Sequence, residues 1–224
     1  MEALLTGAET GTHNRDIAVG LTMLFLPRHF SRELETYCVD IKGLLSNYRQ
    51  HLTGVDICTL DPINARPFEL SELQELCHLV RDAGLHLSAH AGEFFNAKPV
   101  EQAVRLGVER IGHGIQIAYD DEMLELVKTH DITLEVCPVS NYRTGALAPD
   151  YEHPLRRLLH AGVKVTINSD DQGVQNSTWR DDYVFAMEQI GLTDDEITHC
   201  LRNSFEASFL RMQKKEKYRE MFVS

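Results

Sequence analysis

The sequence predicts an α/β fold: a parallel sheet of about six βα units, two short of the eight that close a TIM-type (β/α)8 barrel, with extra helices at the C-terminal end. Three observations predict it. Apolar runs of strand length alternate with amphipathic stretches of helix length, without a linker, repeat or break in composition. Three of the runs close on polar stretches, Leu87-Ser-Ala-His-Ala-Gly-Glu93, Arg110-Ile-Gly-His-Gly114 and Val165-Thr-Ile-Asn-Ser-Asp-Asp171, as expected at the functional rim of such a sheet. After Trp179 the pattern turns to two or three amphipathic helices and a Lys-rich tail, Lys214-Lys-Glu-Lys217, which reads as solvated.

Ile17 to Leu26 is nearly all apolar and suits a strand buried on both faces. Ser31 is the N-cap expected for a helix reaching about Gln50, and Gly54 to Cys58 is the next strand. Ser71 opens a helix with Leu73, Leu76, Leu79 and Val80 on its apolar face, ending near Gly84. Leu85 to Ala89 is a strand delivering His90. A helix over Pro99 to Leu106 leads to a strand around Glu109 to Ile111, then His113. Asp120 to Thr129 is a helix, Ile132 to Val136 a strand closing on Cys137-Pro138, and Val139 to Gly145 a loop with a Gly turn. His153 to His160 is a helix and Val163 to Ile167 the sixth strand, delivering Asp170 and Asp171. Trp179 is assigned to helix packing. Residues 1–224 read as one domain.

Composition narrows the function. The chain has 43% hydrophobic and 25% charged residues, ordinary for a globular protein, and a formal net charge of −12 at pH 7 with no basic stripe to offset it. That balance disfavours a phosphate backbone as partner and leaves a small neutral molecule or a protein. No run approaches the roughly 18 apolar residues of a membrane span. Met1-Glu-Ala-Leu-Leu is too short for a signal h-region and reads as the end of a helix. Cys38, Cys58, Cys77, Cys137 and Cys200 show no CxxC spacing, which points to reduced thiols, some of them packed as small hydrophobes, and to a cytoplasmic setting.

His90, Glu93, His113, Asp170 and Asp171 are the residue types that metal-assisted hydrolysis requires: nitrogen and oxygen ligands, a proton donor and a base. Each has a plainer reading alone. A His at a strand end is commonly a hydrogen-bonded structural residue, and an Asp pair after a strand commonly caps a helix. Their recurrence at successive strand ends favours the chemical reading.

The ordered series His-Ala-Gly-Glu (90–93), Ile-Gly-His-Gly (111–114), Glu-Val-Cys-Pro-Val-Ser-Asn (135–141), Thr-Gly-Ala (144–146) and Asn-Ser-Asp-Asp (168–171) resembles the adenosine deaminase family of the amidohydrolase superfamily. The resemblance runs from about Ile17 to Arg211; Leu26-Pro27-Arg28-His29 and Gly54-Val-Asp-Ile-Cys58 fall where the family ends two earlier strands. It implies zinc-dependent hydrolytic deamination of an adenosine-like nucleoside in purine salvage, with one Zn²⁺ per complete site. His90 and Asp170 would be metal ligands, and His113 would stabilise or help deprotonate the attacking water. Glu93 would protonate the ring nitrogen beside the attacked carbon, which requires a carboxyl kept neutral by burial. Asp171 would hydrogen-bond the five-membered ring of the purine, and Val139 to Gly145 would shape the pocket wall. The cytidine-deaminase type of zinc site needs H-x-E with P-C-x-x-C, which Cys137-Pro138 does not supply.

The sequence departs from the family in two places. It has no His-x-His, the motif with which the family's opening strand supplies two more zinc ligands; His13 stands alone between Thr12 and Asn14. Where the family has a Gly followed by an acidic residue, this chain reads Thr59-Leu60-Asp61-Pro62, so a differently substituted aminopurine is an alternative substrate. The equivalent of two βα units is lacking, leaving two open sheet edges. The chain alone is therefore expected to be inactive or weak, completed by a further N-terminal segment or a protein partner. The alternative is a non-catalytic homologue that binds a nucleoside or a partner. A different amidohydrolase is disfavoured because no Lys closes a strand (Lys164 lies inside one).

Overall fold

A computed structural model describes residues 20–25, 34–58, 61, 70–210 and 212–219. His13, the Leu26-Pro27-Arg28-His29 stretch, the Ser31 cap, Thr59, Leu60 and Pro62 lie outside the described residues. Six strands, β1 (Leu21–Phe25), β2 (Leu52–Ile57), β3 (His86–Ala91), β4 (Arg110–His113), β5 (Thr133–Val136) and β6 (Lys164–Ile167), alternate with helices. They form one all-parallel sheet in the order β1-β2-β3-β4-β5-β6, so each strand pairs with its sequence neighbour, as in a run of consecutive barrel units.

The helices between strands are α1 (Leu34–Tyr48), α2 (Leu70–Asp82), α3 (Lys98–Leu106), α4 (Asp121–Thr129), α5 (Pro138–Arg143) and α6 (Leu155–His160). After β6 come α7 (Gln172–Gln175), α8 (Trp179–Glu188), α9 (Asp194–Ala207) and α10 (Met212–Arg219). No helix among the described residues is long and apolar enough to cross a membrane. Asp120 caps α4 by accepting from the Met123 N–H at 3.1 Å, and Thr193 with Glu196 forms a reciprocal capping box on α9.

The strands alternate with a period of two. Val55 and Ile57, Leu87 and Ala89, Leu134 and Val136, Val165 and Ile167 join the helix residues Leu76, Val80 and Leu158 in one buried core. The intervening positions carry Asp56, Ser88, His90, Glu135 and Thr166, so the other face of the sheet is polar. Register brings His90 level with Gly112 and Ala91 level with His113, which sets the two histidines side by side at the C-terminal rim.

Several expectations are corrected. Leu24 in β1 is 51% exposed: level with Asp56, it lies on the polar face of the sheet, so β1 is not buried on both faces. Residues 138–143 form a helix, not a loop, with Pro138 in its first turn, where a missing N–H costs nothing. Helix α6 starts at Leu155 and not at His153. Trp179 is 60% exposed and touches Tyr183 only edge-on, so it is no packing anchor. In the Lys-rich tail, Lys215 Nζ donates to the Glu206 carbonyl at 2.6 Å instead of standing free in solvent. Cys77, Cys137 and Cys200 are buried free thiols, as expected.

Helix α9 is tied to β6 by Asn203, whose Nδ2 donates to the Val165 carbonyl at 3.0 Å in the interior. Asn203→Ala is expected to lower stability by about 1–3 kcal/mol in urea denaturation, since it strips a buried carbonyl of its donor.

Candidate active site

His90 occupies the penultimate position of β3, and its Nδ1 lies 2.7 Å from Asp56 Oδ1 on β2. Ser88 Oγ donates to the other oxygen of Asp56 at 2.6 Å. Burial works against the charged imidazole, but the hydrogen bond to Asp56 and the nearby carboxylates of Asp56, Asp170 and Glu93 outweigh it and raise the pKa to about 9.

Beyond β3 the chain turns at Gly92, whose φ of 65° favours a residue without Cβ. Asp61 holds this turn, accepting from the N–H groups of Gly92, Glu93 and Phe94 at 2.8, 2.9 and 2.9 Å. Glu93 is buried in consequence. Its Oε1 lies 3.2 Å from Thr144 Oγ1 and its Oε2 3.5 Å from His113 Nε2. Burial pushes its pKa up to about 7, with Asp170 adding to the effect against the hydrogen bond from Thr144.

His113 closes β4 at φ 66°, a conformation disfavoured for residues with a Cβ. Its ring is buried and sits 5.4 Å from that of His90, and Asn141 Nδ2 lies 3.1 Å from its Nδ1. Burial, with the field of His90, drops its pKa to about 4. Gly112 allows close approach: a Cβ there would stand 3.3 Å from the His90 ring, which would have to give by a few tenths of an ångström.

From β6, Asp170 Oδ2 accepts from Ser140 Oγ at 2.7 Å and Oδ1 from the Asp171 N–H at 2.8 Å. Burial raises its pKa, but these hydrogen bonds and the two histidines more than offset it, so the carboxylate is held ionised below its usual range. Ligand atoms of Glu93, His113 and Asp170 all lie within 4.8 Å of one another. Asp171 is not drawn into this cluster. Its side chain is exposed and caps α7, accepting from the Gly173 and Val174 N–H groups.

The donor set fits a divalent metal ion. The Asp56 carboxylate engages His90 Nδ1 and leaves Nε2 for a ligand, the arrangement that orients metal-binding imidazoles. Asp170, whose charge His90 feels, supplies an ionised oxygen, although His90 is not among the three groups whose ligand atoms lie within 4.8 Å of one another. Asp56, Ser140, Asn141, Thr144 and His153 were not singled out individually from sequence. Asp56 had a visible signal, a carboxylate inside an apolar strand. Ser140, Asn141 and Thr144 lie in the segment expected to wall the pocket.

The chain matches the model of the adenosine deaminase family over residues 1–223. It is 33% identical over 223 residues to an adenosine deaminase from Serratia proteamaculans (strain 568), covering 98% of this chain and 64% of that protein. It superimposes on the crystal structure of an adenine deaminase from Arthrobacter aurescens with a TM-score of 0.84 at 25% identity, covering 97% of this chain and 64% of the other. A Burkholderia ambifaria amidohydrolase solved with bound Zn shares the fold, with a TM-score of 0.85 at 22% identity and coverage of 99% and 60%. The chain thus spans less than two thirds of the length of each.

Behind the site, His153 is buried, and burial lowers its pKa to about 4 from an ordinary 6.5. Between those values the unfolded chain binds a proton that the folded chain refuses, so stability falls as pH drops from 6.5 toward 4. Urea denaturation at stepped pH is expected to show this loss, and His153→Gln, which cannot titrate, is expected to show less of it.

Proposed function

Because the chain belongs to the adenosine deaminase family, we propose that the complete protein hydrolytically deaminates adenosine or a related 6-aminopurine nucleoside to the 6-oxopurine and ammonia, as a step of purine salvage in the cytoplasm. The observation that carries this reading is the gathering of Glu93, His113 and Asp170 within 4.8 Å beside an Asp56-backed His90.

In this reading His90 and Asp170 hold one Zn²⁺, which is supported by their donor chemistry and by the bound Zn of the Burkholderia ambifaria structure. When bound, the metal makes hydroxide available from water near neutral pH. The 224 residues contain no His-x-His, so any further protein ligands would have to come from outside them.

Glu93 is the proton donor. With a pKa near 7, a large share of it is protonated at neutral pH, ready to neutralise charge developing on the ring nitrogen beside the attacked carbon. Thr144 fixes the orientation of its carboxyl. His113 meets the attacking water, and Ser140 with the Asp171 N–H holds Asp170 in its ionised form. Asp171 hydrogen-bonds the five-membered ring of the base. The hydroxyl of water adds at the amino-bearing carbon as the ring nitrogen takes a proton from Glu93; the proton that water gave up leaves with the amino group as ammonia, and the proton released as the 6-oxo group forms returns to Glu93.

Ultraviolet absorbance of adenosine-to-inosine conversion, with zinc content measured in parallel, tests the reading. The completed barrel is expected to turn over with one zinc bound, and Glu93→Gln to lose about 10²–10⁴-fold in rate while keeping the metal. The present chain alone is expected to bind zinc weakly and to be inactive or nearly so. A zinc-loaded complete protein inert toward 6-aminopurine nucleosides would sink the proposal.

A further inference from the structure

A chain of hydrogen bonds runs behind His113, away from the active-site face. It begins at a backbone amide. The Leu155 N–H donates to His153 Nδ1 at 3.1 Å. An amide N–H can only donate, so His153 Nδ1 is the bare, accepting nitrogen. His153 is 3% exposed, and burial keeps it neutral. Its one ring proton therefore sits on Nε2, which lies 3.2 Å from Asn141 Oδ1. Asn141 is fully buried, and its amide has one orientation that accepts from that proton. Its Nδ2 then faces His113 Nδ1 at 3.1 Å. Nδ2 also can only donate, so His113 Nδ1 is bare and the proton of the neutral ring is on Nε2. That atom points toward Glu93, 3.5 Å from Oε2.

We propose that Asn141 and His153 are positioning residues that lock His113 in its Nε2–H tautomer, so that His113 presents a hydrogen-bond donor and not a lone pair to the active site. The tautomer follows from the hydrogen-bond chain alone; what the donor meets rests on the deaminase reading above. An Nε2 that carries hydrogen cannot ligate a metal or accept a proton. Although His113 stands close enough to Glu93 and Asp170 to share an ion with them, its role is to donate to the oxygen of the attacking water. Metal binding is left to His90, whose own Nδ1 is tied to Asp56 and whose Nε2 is spare. The two neighbouring imidazoles are thus given opposite tasks by what stands behind each: a carboxylate behind His90, a carboxamide nitrogen behind His113.

The test reads the rings directly. Long-range ¹⁵N–¹H correlation spectra of the ¹⁵N-labelled chain, metal-free at pH 7, distinguish bare from protonated ring nitrogens for each histidine. The expected result is bare Nδ1 and protonated Nε2 on both His113 and His153. His153→Phe removes the donor that orients Asn141 and is expected to bring an Nδ1–H population onto His113. His153→Gln offers a side-chain N–H to Asn141 Oδ1 and is expected to restore the single Nε2–H form, which a merely space-filling role for His153 does not predict. Nδ1–H on His113 in the unsubstituted chain overturns the proposal, and this spectrum decides even if a variant fails to fold. An unchanged His113 pattern in a folded His153→Phe chain overturns it as well. Neither zinc nor substrate enters the measurement, so its failure is separate from failure of the deaminase reading.

Discussion

The Asp56 carboxylate is the interaction on which the polar face of the sheet depends. It sits 7% exposed on β2, level in register with Ser88 and reaching His90, and each of its oxygens is taken by one of these neighbours. A buried carboxylate without partners would cost several kcal/mol. Here the cost is offset by two short, charge-assisted contacts. The pairing fixes the His90 ring, and the ring in turn lies against Gly112, where an added Cβ would press on it at 3.3 Å. The site is therefore built across three adjacent strands before any loop contributes.

The loops then assign different chemistry to similar groups. Glu93 and Asp170 are both carboxylates at the same rim, yet burial raises one and hydrogen bonds lower the other. Asp61 contributes at one remove: by gathering three consecutive N–H groups it folds Glu93 inward, where desolvation acts. Separating two carboxylates in this way gives one site both a proton donor and a permanent anion.

Much of this was legible in the sequence, because strand-length apolar runs ending in His, Glu or Asp are a local pattern. His90, His113 and Asp170 lie at the strand ends where that pattern puts them. What was not legible depends on register or tertiary contact. Asp56 and His90 are 34 residues apart and meet only through the β2–β3 pairing. His153 looks like the first residue of a helix; it precedes α6 and reaches the site through Asn141. Helix α5 is not legible because six residues after a Cys-Pro carry too little periodicity to separate a short helix from a turn. Asp171, read as a substrate contact, is seen capping α7 with its carboxylate. Capping and ligand contact use the same short carboxylate, and sequence does not distinguish them.

His113 has one more consequence, for the range of residues this position tolerates. Its backbone is left-handed at φ 66°, a geometry that costs about 1 kcal/mol or more for most side chains and least for Gly, Asn, Asp and His. Among those four only His offers an aromatic ring with two nitrogens that divide the labour of donor and acceptor. The permitted alphabet at position 113 is thus cut once by backbone shape and again by chemistry, and the two cuts overlap at a single letter. A bulky replacement there would confound misfolding with loss of function, whereas Asn, which accepts the same backbone, isolates the contribution of the ring.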